Sequence, residues 1–252
     1  MERLSMKSPV LTAVMLAALL LPLTACGGDP IEAEVKYRAG EAFMEVGGWE
    51  RAIDEYDRAI RLDPQLAKAY AGRGRALIYL GEFQRALEDL DEAIRLDPGL
   101  AGAYNSRGIA YADLGQPERA IQDFDEAVRL DPQDSEIYYN RGHTRGNMGQ
   151  PERAIADFDE AIRLDPLALL AYNNRGIAHS VLGRPERAIE DFSEAIRLDP
   201  MFSLAYANRG MAYFALSRDE EARRDIDMAE KLGLDPRLLD RMVEHAEQER
   251  SR

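Results

Sequence analysis

The chain has 252 residues, 46% of them hydrophobic and 31% charged, which suits a folded domain and lies far from the composition of a disordered chain. Its formal net charge is −14, and because residues 1–25 are net +1 the remainder carries −15. A surface this acidic repels phosphate backbones and anionic bilayers, which argues against nucleic acid as a partner and against a protein lying flat on a membrane.

Residues 1–25 read as a signal peptide. Arg3 and Lys7 supply a short basic start, and an apolar run follows from Val10 to Leu23. That run is shorter than the ~20 residues a membrane-spanning helix needs. It ends in Pro22-Leu23-Thr24-Ala25-Cys26. The Leu-Thr-Ala-Cys ending resembles the lipobox of bacterial lipoproteins, which implies cleavage before Cys26 and lipidation of its thiol. Cys26 is the only cysteine, so no disulfide forms within one chain. Residues 26–32 make a short tether in which Asp29-Pro30 reads as the cap and first residue of a helix.

From there the sequence is periodic. Asp-Pro pairs recur at Asp63-Pro64, Asp97-Pro98, Asp131-Pro132, Asp165-Pro166 and Asp199-Pro200, each 34 residues from the next. A fixed period of that length marks a solenoid. The units are 33–66, 67–100, 101–134, 135–168, 169–202 and 203–236, and residues 237–252 form a capping helix and frayed tail. The eighth place is always glycine, from Gly40 to Gly210, and the twentieth and twenty-seventh are always alanine, Ala52 and Ala59 in the first unit. Large apolar residues at spacings of three and four predict two amphipathic helices per unit, with the glycine of one facing alanine of the other so that the axes approach closely. Gly115, Gly149 and Gly183 end first helices, and Pro117, Pro151 and Pro185 open second ones. Each closing Asp-Pro is expected to cap the next unit's first helix. The sixth unit departs, with Ser217 in place of the turn glycine, as terminal units do. Leu238, Leu239, Met242, Val243 and Ala246 make one apolar stripe beyond it.

This pattern closely resembles the tetratricopeptide repeat family, with tyrosine where that family often has tryptophan. The resemblance extends from Ala33 to Pro236. It implies an all-α, right-handed α-solenoid of six helical hairpins plus the C-terminal capping helix, with the first helix of each unit lining the concave side.

Features that look chemical fit the repeat better. Gly72-Arg73-Gly74 lacks the preceding strand and third glycine of a dinucleotide fingerprint. His143, His179 and His245 have no second histidine or cysteine at ligand spacing, so no metal or cofactor is implied. Carboxylate pairs such as Asp123/Asp125 recur as Asp157/Asp159, whereas a catalytic pair is normally single, and no nucleophile has a credible base. The chain reads as a non-enzyme. Arg73, Arg107, Arg141, Arg175 and Arg209 at the seventh place, with Asp89, Asp123, Asp157, Asp191 and Asp225 at the twenty-third, flank the packed stripes of their helices. They are expected to form partly buried ion pairs that fix helix packing.

The binding surface is read from first-helix places opposite the packed stripe. The first two units place Glu34, Arg38, Glu41, Lys68 and Arg75 there. Later units place Asn105, Ser106, Tyr139, Asn140, His143, Asn173, Asn174, Ile177, Asn208 and Met211, polar amides alternating with apolar groups. Some family members clamp C-terminal carboxylates on this face, but the basic fifth-place residue of that clamp is missing in every unit. Others carry an asparagine ladder for peptide backbones, which Asn140, Asn174 and Asn208 resemble, with Ser106 as a fourth rung. The expectation is a membrane-anchored scaffold of the bacterial cell envelope that binds partner proteins or extended peptides in its groove, with no nucleic acid and no small-molecule substrate. The competing readings are a self-assembling structural element and an enzyme's accessory domain.

Overall fold

The structure is a computed structural model and describes residues 29–250; the expected signal peptide and Cys26 lie outside them. The described residues form six helical hairpins and one further helix. The hairpins are α1 (Pro30–Glu45) with α2 (Trp49–Leu62), α3 (Ala67–Tyr79) with α4 (Phe83–Leu96), and α5 (Ala101–Asp113) with α6 (Pro117–Leu130). They continue with α7 (Ser135–Asn147) and α8 (Pro151–Leu164), α9 (Leu169–Val181) and α10 (Pro185–Leu198), and α11 (Ser203–Ala215) and α12 (Asp219–Lys231). The last helix is α13 (Pro236–Arg250).

Each helix packs on its hairpin partner, and each second helix packs on the first helix of the next unit. First helices of successive units also touch one another, whereas among the described residues second helices of successive units do not. The stack therefore bends with its first helices on the inside, and they form the concave face of an α-solenoid.

Glycine at the eighth place faces the large residue at the twenty-fourth, not alanine as the sequence suggests. A Cβ on Gly108 would lie 2.7 Å from Phe124, and one on Gly176 2.7 Å from Phe192. The Phe124, Phe158 and Phe192 rings are each 1% exposed, and they lie directly against the backbone of the first helix because no Cβ intervenes. The alanines, such as Ala120 and Ala127, are fully buried beside them.

The turn within each hairpin needs a left-handed residue. Gly47, Gly81, Gly115, Gly149 and Gly183 supply it with φ of 65–74°, and Ser217 stands in the same conformation at φ 57°. Between units the Asp-Pro pairs act differently from the expected helix cap. Asp63, Asp97, Asp131, Asp165 and Asp199 end the second helices, extended as residues before proline tend to be. Their carboxylates accept from the amide two residues on, at 2.9–3.0 Å. The next helix starts a few residues later, and of these later first helices only α7 has a side-chain cap, Asp134 accepting from Glu136 N. Asp29 does cap α1, accepting from Ile31 N at 2.9 Å with Pro30 as the first helical residue. At the far end Leu239 of α13, 3% exposed, seals a cluster with Ala207 and Ala229.

Candidate binding groove

The seventh-place arginines are set beside the packing glycine, close under the second helix. Each directs Nε and one Nη to the twenty-third-place aspartate of its own unit. Arg73, Arg107, Arg141, Arg175 and Arg209 thus meet Asp89, Asp123, Asp157, Asp191 and Asp225 at 2.6–3.3 Å. These aspartates are 3–8% exposed. The other Nη reaches back to the twenty-fifth place of the preceding unit: Asp57, then Asp91 at 2.7 Å, Asp125 at 2.8 Å, Asp159 at 2.6 Å and Ser193 Oγ at 3.0 Å. The same guanidinium lies 5.4–5.7 Å from the ring centre of its unit's fourth-place tyrosine, within cation–π range. One side chain thereby ties a hairpin together and that hairpin to its predecessor. Spacing along the sequence does not reveal the backward bond, although the recurring Asp123/Asp125 type of pair is its signal.

The asparagines interlock between units. Asn140 Nδ2 donates to Asn105 Oδ1 at 3.1 Å, Asn174 Nδ2 to Tyr139 Oη at 3.3 Å, and Asn208 Nδ2 to Asn173 Oδ1 at 3.0 Å. In each case a sixth-place amide holds the fifth-place side chain of the preceding unit. Asn105, Ser106 and Asn173 are 5–7% exposed, so they lie beneath the groove surface rather than on it. The fifth place turns toward the neighbouring helix, and the closeness of the stack covers it. Asn140, Tyr139, Asn174, Asn208 and Met211 are half-buried, and His143 and Ile177 are exposed. Among the described residues the Oδ1 atoms of Asn140 and Asn208 have no partner, whereas that of Asn174 accepts from Asn173 at 3.2 Å.

Along its length the groove changes character. In the first two units its charges satisfy each other: Lys68 lies 2.6 Å from Glu34 and Arg75 2.9 Å from Glu41, with Arg38 3.1 Å from Glu34. In the last two units apolar side chains come to the surface beside the asparagines, with Leu170, Ile177, Val181 and Leu204 exposed by 41–70%. Between these ends a cleft of about 450 Å³ opens between the third hairpin and α7. Its walls include Ile109, Ala112, Phe124 and Met148, and its polar groups include Asp113, Glu118, Asn140 and His143. One unit earlier the place of Ala112 is taken by Ile78, which packs against the Tyr111 and Phe124 cluster.

His179 does not join the groove. It lies with Asp159, Arg175 and Asp191 in a separate depression. Among the described residues its buried Nδ1 has no partner, and burial lowers its pKa below the usual imidazole range. Asp191 beside it is pushed up by burial against the pull of Arg175.

A family model described as tetratricopeptide repeat matches residues 37–99, 71–135, 139–200 and 175–236. No curated protein matches the sequence. Among solved structures, MamA is 27% identical, with a TM-score of 0.59 over 63% of this chain and 93% of its own. YrrB, described as a TPR protein with an unusual peptide-binding site, is 24% identical, with a TM-score of 0.63 over 75% of this chain and 97% of its own. PilW, described as a widely conserved type IV pilus biogenesis factor, is 19% identical, with a TM-score of 0.71 over 77% of this chain and 90% of its own. At these identities YrrB and PilW bear on the fold alone.

Proposed function

This chain belongs to the tetratricopeptide repeat family, a family of protein-interaction modules, and from that premise we propose that it is a non-catalytic scaffold held on the outer side of a bacterial membrane by lipid on Cys26. Its concave face takes an extended segment of a partner protein in the third to sixth units. The observation that carries the second part is the change along the groove. The membrane-proximal charges are already paired with one another, whereas farther on apolar side chains are exposed and the Asn140 and Asn208 carbonyls are unfilled. An unfilled amide oxygen accepts a peptide N–H without reading its side chain, and the neighbouring Ile177 and Val181 supply apolar contact. YrrB is described as carrying a peptide-binding site, so the fold supports such use.

The anchor rests on the sequence. Among the described residues no helix is long and apolar enough to cross a membrane. Three positions separate Cys26 from the cap Asp29, a reach of about 10 Å. The first unit is then held at the headgroups, and the neutral part of the groove stands clear of the bilayer charge.

Capture of partners from membranes tests both parts. Because each asparagine also ties two units, alanine at those places disturbs the stack, and the exposed Ile177 and Val181 are better targets. Ile177→Asp with Val181→Asp should weaken capture about tenfold or more, while Arg38→Ala with Glu45→Ala in the first unit should leave it unchanged. Cys26→Ala should move the protein to the aqueous phase of a detergent partition and abolish labelling by fatty acid. Capture lost in the first-unit variant and kept in the other would place the working surface at the membrane end.

A further inference from the structure

The cleft between the third and fourth units differs in chemistry from the groove on either side of it. Asp113 and Glu118 stand at it exposed, and among the described residues neither has an ion-pair partner, whereas Glu34, Arg38, Glu41, Lys68 and Arg75 of the first two units are paired with one another. Glu118 recurs as the first-turn carboxylate of most second helices, whereas the thirteenth place is acidic only as Asp113 here and as Glu45 in the first unit, and holds Tyr79, Asn147, Val181 and Ala215 in the others. Among the described residues no lysine or arginine lines the cleft, and His143 is its only other titratable group. Ile109, Ala112, Phe124 and Met148 give it an apolar floor, with Asn140, Thr144 and Asn147 as neutral polar groups beside them. A pocket with an apolar stem and an acidic mouth complements a long side chain that is aliphatic along its length and cationic at its tip.

We propose, building on the groove reading above, that this cleft receives an arginine or lysine side chain of the bound segment, fixing its register. The Asn140 carbonyl at the edge of the cleft then accepts a backbone N–H of the same segment. Neighbouring first helices lie ~10 Å apart, and extended chain advances ~3.3 Å per residue. The residues that reach Ile177 and then Met211 therefore follow the basic one at intervals of about three positions and are apolar. A tyrosine at the thirteenth place, as in the second unit, or a filled cleft would exclude such a ligand.

The test is selection of random decapeptides displayed on phage against the intact protein, run in parallel on the Asp113→Asn, Glu118→Gln variant. Both changes fall on exposed groups without ion-pair partners, so the fold is kept. The expected result is a pool enriched in arginine or lysine with an apolar residue about three positions away. A synthetic peptide from that pool should bind about five- to tenfold more weakly when its basic residue is replaced by glutamine, and similarly more weakly to the variant. Peptides selected without a basic residue, or bound equally by the variant, overturn the cleft assignment and leave the groove reading standing. A pool with no enrichment in either protein overturns both.

Discussion

Arg107 holds two carboxylates of very different exposure: the side chain of Asp123 is 9% exposed and that of Asp91 59%. Both bonds are 2.7 Å long, yet they should contribute unequally. Arg107→Ala leaves Asp123 nearly buried with no cation, which costs about 3 kcal/mol. Asp91→Ala removes an exposed pair and costs about 1 kcal/mol or less. Denaturant unfolding of the two variants checks this, and equal losses would contradict it. The inner pairing was legible in the sequence, because two places on helices of one hairpin are fixed by the helical period alone. The outer pairing was not, because the twenty-fifth place meets an arginine only through the way one unit stacks on the next. The same holds for Asn105 and Asn173. They stand one residue before the sixth place, about 100° around the helix from it, and it is the neighbouring helix that covers them. Local spacing marks a face, and stacking decides which part of it water still reaches.

Among the turns, the sixth hairpin is the one built against its own residue. Ser217 sits at φ 57° where the other hairpins use glycine, and a left-handed conformation costs an L-residue about 1 kcal/mol. Ser217→Gly should therefore raise the melting midpoint by about 2–4 °C. Amide exchange of α12 and α13 should slow with it, since those helices depend on that turn. A midpoint unchanged or lowered would show that the serine makes a compensating contact. The twelve repeat helices were readable from the period of glycine, alanine and proline, and the last helix from its apolar stripe. The role of the Asp-Pro pairs was not. Asp29-Pro30 and Asp235-Pro236 do open helices, with the aspartate accepting from the amide two residues on. The pairs between units make the same local bond but end the helix before them, and the next starts only after a further turn. The dipeptide fixes a local turn, and the direction in which the helix continues comes from packing of the flanking apolar faces.

Across the whole molecule, contact between successive first helices and none between successive second helices of the described units bends the stack and gives it one concave side. The resemblance to tetratricopeptide repeats anticipated that side, but reading its places unit by unit passed over the exposed carboxylates of Asp113 and Glu136 in the third and fourth units. The cleft was not legible, because its walls come from one hairpin and the first helix of the next, which only stacking brings together. Nor was the mutual pairing of Glu34, Lys68, Glu41 and Arg75, which leaves the first units with little to offer a partner. The central claim is that a partner lies in the concave face of the later units. The most direct measurement places a photocrosslinking benzoyl-phenylalanine at one exposed position at a time in cells making the protein. Ile177 and Val181 report on the concave face, and Gln122 and Ala156, exposed on second helices, report on the convex one. The expected result is the same discrete protein adduct from both concave positions and none from the convex pair. Adducts confined to Gln122 and Ala156, or none from the groove, would contradict it.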